Sequence, residues 1–194
     1  MTQEELREIL RRDVVAAGPA LLGAFLVRGS MRARIVEVEA YRSDDPACHA
    51  FERRTPRTEV MYGPPGFSYV YFNYGVHWML NIVAHEKEDP AALLIRAAEP
   101  LDGLDQMARN RGVHGHRSLL SGPGKLAKAF GITGKDNGID LLSPESHDLR
   151  IVAPDVPVCS VFAGPRIGLA AGKWEDVPWR FVDGEAVDWA SRRI

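Results

Sequence analysis

The feature that most narrows the fold is a succession of β-type runs between residues 24 and 100, each closed by a turn signal. AFLVRG ends in Gly29, which with Ser30 marks the turn before MRARIVEVEAY. SYVYFNY and GVHWMLNIV, rich in aromatic and β-branched residues, meet at Gly75, and AALLIRAAEP follows the EKEDP turn. Runs joined by such short turns pair as antiparallel neighbours. The spacing therefore predicts a curved, mainly antiparallel sheet.

Helical spacing flanks these runs. Leu6, Ile9 and Leu10 mark a short amphipathic helix, and residues 14–22 suggest a second one, with Gly18 and Pro19 arguing for a break between them. LDGLDQMARNRG reads as a helix ending near Gly112, and GPGKLAKAFGI as another, with Leu126, Ala129 and Phe130 on one face. Residues 137–155 have turn and strand character, and the last part has two Gly-rich turns and a final strand around residues 179–182. A 45% hydrophobic and 26% charged composition sets disorder aside. The expectation is an α+β class: one mixed domain over residues 1–194, a curved antiparallel sheet with flanking helices.

With 24 Lys plus Arg against 26 Asp plus Glu, nothing global points to a phosphate-bearing partner. Any nucleic-acid surface must be local. The candidates are Arg53, Arg54 and Arg57, then Arg109, Arg111, His114, His116 and Arg117, then Lys125 and Lys128. Solvated faces carry clusters of this kind too. Cys48 and Cys159 form neither a zinc-finger spacing nor a disulfide framework, which suits a reduced cytosolic compartment. MTQEELREILRRD lacks the apolar core of a signal peptide, and no apolar run approaches membrane-crossing length.

GPGKL places Leu126 where a phosphate-binding P-loop needs Ser or Thr, and no GxGxxG follows a strand. His49, His77 and His85 with Cys48 lack close metal-ligand spacing, and no GxSxG elbow occurs. EVEAY is more informative. As a strand it puts Glu37, Glu39 and Tyr41 on one face and Val36, Val38 and Ala40 on the other. Paired carboxylates mean that this face is either wet or lines a site. Tyr69, Tyr71 and Tyr74, followed by His77, Trp78 and Asn81, either pack a sheet or sandwich a nucleobase and read its edge.

EVEAY, the downstream CH, RTxxMYGPPGxxYVYFNYGxHWxxNIV, LLIRAAEP and GPGKL, in this order, resemble the alkyladenine DNA glycosylase family, also called methylpurine or 3-methyladenine DNA glycosylase. The resemblance runs from about Leu21 to Phe181. It implies a mixed fold around a curved antiparallel sheet, a damaged nucleotide flipped from duplex DNA, and hydrolysis of its N-glycosidic bond without a metal or other cofactor. On this resemblance Glu39 is the general base and Arg96 helps to hold the attacking water. Tyr41 stacks on one face of the flipped base, His49 and Tyr71 close the other, and Asn81 stands at the pocket wall. Tyr74 is the wedge inserted through the minor groove. A backbone carbonyl near Ile167 touches the water. The implied partner is duplex DNA with damaged purines, with no membrane and no obligate protein partner, in a bacterial-type cytoplasm with nucleoid association. Two other readings share these residues: a hydrolase of free modified nucleosides, and a non-catalytic nucleic-acid binding module, which leaves Glu39 without a role.

Overall fold

The computed structural model describes residues 1–85, 88–116, 118–143 and 147–192. Arg117 of the second basic cluster, Glu86 and Lys87 of the EKEDP turn and residues 144–146 of the 137–155 stretch lie outside the described residues.

The chain opens with helix α1 (Gln3–Arg11). The Thr2 hydroxyl accepts the Glu5 amide at 3.1 Å, and the Glu5 carboxylate accepts the Thr2 amide at 2.7 Å. This reciprocal pair satisfies donors that a helix start leaves open. Leu6 and Leu10 are fully buried on the inner face. Helix α2 (Val14–Leu21) is capped by Asp13, which accepts from the Val15 and Ala16 amides at 2.9 Å.

Gly18 and Pro19 do not break α2, contrary to the sequence expectation. Pro19 sits in the last turn, so the helix forgoes a single backbone donor there. Gly18 instead permits close packing: a Cβ at this position would stand 2.4 Å from Cδ2 of Phe181.

Strands β1 (Phe25–Arg28) and β2 (Met31–Arg42) form the expected hairpin. Strands β3 (Ser68–Asn73) and β4 (His77–Ala84) form the next, and β5 (Ala91–Asp102) pairs antiparallel with both β4 and β2. Helices α3 (Leu104–Arg111) and α4 (Pro123–Ala129) follow as expected, with Gly112 left-handed at the end of α3 and Leu126, Ala129 and Phe130 buried in the core. Strands β6 (Leu149–Val152), β7 (Val161–Gly164) and β8 (Arg180–Asp183) complete the sheet.

Among the described residues, the eight strands form one curved antiparallel sheet in the order β3-β4-β5-β2-β1-β6, with β8 joining β2 to β7. The class is α+β, with helices flanking the sheet. Helix α2 packs on β2, β5 and β8, and α4 packs on β4 and β5.

The centre of β2 departs from simple alternation. Register shifts fall between Ile35 and Glu37 and between Glu37 and Val38, where β5 skips Arg96. Each strand thus carries one extra residue, and the two irregularities compensate. Val36 consequently packs with Ala97 and Ala186, whereas Val38 and Ala40 belong to the main core with Ile35. The expected face of Val36, Val38 and Ala40 is corrected at Val36. The bulge brings Glu37 and Glu39 toward Arg96 while the main core stays apolar.

Candidate active site

Glu39, Ala40 and Tyr41 stand near the end of β2, and the same stretch determines what meets there. Ala40 enters the core, so Glu39 and Tyr41 point the other way. Glu39 is fully buried and held by three donors. Arg96 Nη1 donates to Oε2 at 3.0 Å, the Tyr41 hydroxyl to the same oxygen at 2.9 Å, and the Ile167 amide to Oε1 at 2.6 Å. A carboxylate only accepts and has about four lone-pair sites, so three donors leave one acceptor position. Burial, followed by the neighbouring Glu39 charge, holds the Tyr41 hydroxyl well above the ordinary phenol range. It therefore stays protonated and serves as a donor.

Arg96 is itself oriented by Glu37, which is also fully buried. Glu37 Oε1 accepts from Arg96 Nε at 3.2 Å and from Arg180 Nε at 2.6 Å. The C-terminal segment closes this network, because Ser191 donates its amide to Glu37 Oε2 at 2.5 Å and its hydroxyl to Oε1 at 2.9 Å.

Beside this network lies a cavity of about 360 Å³ whose walls include Tyr41, His49, Tyr71, Asn81, Arg96 and Ile167. Glu39 does not itself line it, but all three of its donors do. Such a volume accommodates a small planar aromatic group. Tyr71 meets the His49 ring edge-on with centroids 4.5 Å apart, and Tyr69 lies 5.4 Å from Tyr71. Tyr69 is buried and its hydroxyl lies 2.9 Å from His49 Nδ1. Arg57 Nη2 lies 3.4 Å from His49 Nε2 and its guanidinium sits over the Tyr71 ring. Since a guanidinium only donates, Nε2 is the acceptor and the proton resides on Nδ1. Burial, and then the Arg57 charge, lower the His49 pKa to about 4. Asn81 donates to the Tyr69 carbonyl at 2.9 Å, which fixes its amide at the wall.

Tyr74 occupies the tight turn between β3 and β4 with φ +49° and is 91% exposed at the cavity mouth. The wall is completed from α4, where Pro123 reaches the cavity. That approach depends on Gly124, since a Cβ there would stand 2.7 Å from His77 Cγ.

The structure thus gathers Glu39, Arg96, Tyr41, His49, Tyr71, Tyr74, Asn81 and Ile167 at or beside one cavity. The Ile167 amide bonds Glu39. The sequence reading did not single out Asp45 and Arg166, a buried ion pair whose guanidinium lies over the Tyr41 ring. No local motif marks a pair separated by 121 residues.

The basic clusters divide. Arg57 touches His49 and Tyr71 of the cavity wall, while Arg54 pairs with Glu59 and Glu88. Arg111 donates to the Ser118 and Leu119 carbonyls, and His116 pairs with Asp105. Among the described residues no three of His, Cys, Asp and Glu are grouped as metal ligands, and no helix is long and apolar enough to cross a membrane.

The methylpurine-DNA glycosylase family model matches residues 8–186, and the chain belongs to that family. A Rhodopseudomonas palustris relative is 48% identical over 90% of this chain and 82% of its own length. A Nitrosospira multiformis relative is 46% identical over 84% and 81%, and one from Carboxydothermus hydrogenoformans 42% identical over 90% and 92%. Each of these relatives is described as "Putative 3-methyladenine DNA glycosylase". Membership places the chain among the DNA glycosylases of base-excision repair.

Proposed function

We propose that the chain is a monofunctional glycosylase of one domain that flips alkylated or deaminated purine nucleotides out of duplex DNA and hydrolyses their N-glycosidic bond. The observation that carries this reading is a buried carboxylate with three donors beside an aromatic cavity sized for one base.

In the proposed reaction the bond from C1′ to the purine nitrogen breaks, and its electron pair leaves with the base. The sugar gains positive charge, which the Glu39 carboxylate stabilises. Water attacks C1′ and passes a proton to the remaining acceptor position of Glu39. Arg96 holds Glu39 and helps to orient the water, with Glu37 fixing its guanidinium. The base stacks on Tyr41, with His49 and Tyr71 across from it and Asn81 at its edge. Tyr74 enters the duplex and fills the gap left by the flipped nucleotide, replacing lost stacking worth a few kcal/mol per step. Because water is the nucleophile, the product is an abasic site in an unbroken strand.

The test compares a duplex containing one hypoxanthine with the free nucleoside inosine. Base release from the duplex alone, with binding that weakens steeply as salt rises, is the expected result. Equal cleavage of the free nucleoside, insensitive to salt, would contradict the duplex reading.

A further inference from the structure

Arg166 is almost fully buried and ion-paired with the fully buried Asp45. Its Nη1 also donates to the Ala40 carbonyl at 3.0 Å, one residue from Tyr41 in β2. The guanidinium carbon lies 4.7 Å from the Tyr41 ring centroid and 5.2 Å from that of Trp179, so the cation is held between two aromatic rings. Tyr41 lines the cavity, whereas Arg166, packed over the same ring, does not. Its Nε has no hydrogen-bond partner among the described residues.

An aromatic face attracts cations through its quadrupole. When one face already carries a cation, the ring electrons are drawn toward it and a second cation on the other face is less welcome. N-alkylated purines such as 7-methylguanine are cationic, whereas hypoxanthine is neutral. We propose that Arg166, anchored by Asp45, is a specificity-determining residue that tunes the Tyr41 platform toward neutral bases. This rests on the base-stacking role given to Tyr41 above. Arg166 also precedes Ile167, whose amide holds Glu39, so loosening it slows release of every base. The ratio between two bases separates the two effects.

Single-turnover release is measured from duplexes containing 7-methylguanine or hypoxanthine, for the wild type and for D45N/R166Q. The double substitution removes both charges, so no buried charge is left unpaired. The 7-methylguanine-to-hypoxanthine ratio is expected to rise about five-fold, the size of a modest cation–π difference. If the double variant fails to fold, R166K keeps a cation for Asp45 but takes the flat guanidinium off the ring, and the ratio must rise by about two-fold. An unchanged or lower ratio in a folded variant, with both rates reduced, makes Arg166 a scaffold residue and overturns the proposal alone. Absence of release of either base by the wild type overturns it together with the glycosylase reading.

Discussion

The Ile167 amide nitrogen lies 2.6 Å from Glu39 Oε1, a hydrogen bond that joins positions 128 residues apart. It links the loop after β7 to the centre of the sheet, so the carboxylate is oriented by the C-terminal part of the chain as well as by β2 and β5. Ser191, bonded to Glu37, adds a second such link. Truncation before Ser191 is therefore expected to disturb Arg96 both directly and through Glu37.

Removing Glu37 tests this second layer. Glu37→Ala leaves Arg180 buried without its carboxylate and Arg96 with Glu39 as its acidic partner, and loss of one partner of a buried ion pair costs about 3–5 kcal/mol. Glu37→Gln keeps acceptor capacity and costs less. Urea unfolding is expected to rank the stabilities wild type, Glu37→Gln, Glu37→Ala.

At Gly18 two effects oppose each other. Alanine improves helix propensity by about 1 kcal/mol. Its Cβ would meet Phe181 at 2.4 Å, and overpacking of this kind costs about 1–3 kcal/mol. The side chain of Phe181 is buried in the core and has little room to yield. Gly18→Ala is expected to lower the unfolding midpoint; a stabilised variant would contradict the packing account.

Tyr74 separates stability from function. It is 91% exposed and left-handed, a backbone region that costs a non-glycine residue about 1–2 kcal/mol. Tyr74→Gly relieves that strain, so the protein is expected to unfold at a higher urea concentration while flipping of a fluorescent base analogue declines. Flipping equal to wild type would rule out the wedge role.

His49 supplies a pH dependence. Its folded pKa is lowered to about 4, whereas a histidine in the unfolded chain titrates near 6.5. Between those values the unfolded state binds more protons, so stability falls as pH drops through the window and the loss is complete below about pH 4. His49→Gln removes this component, and unfolding midpoints measured from pH 7 to pH 4 should decline less steeply than in the wild type.

The strands from Phe25 to Asp102 were legible because side-chain type, alternation and Gly turns agreed with one another. Two things were not. The displacement of Val36 depends on compensating irregularities at Val36 and Arg96, which preserve the overall pairing and leave no local signal. β7 is short and largely exposed, so it has no buried alternation to read. Within the site, EVEAY and the tyrosine run marked the residues that line or support the cavity. Asp45 and Arg166 escaped notice because either charge alone resembles an ordinary surface residue until the fold pairs them.

The central claim is that Glu39 activates water for base removal. Single-turnover release from a duplex carrying one hypoxanthine, comparing the wild type with Glu39→Gln, tests it most directly. The account predicts that the variant binds the duplex but releases base at least 100-fold more slowly, the lower range of general-base contributions being about 100-fold. Equal release by both proteins would contradict it.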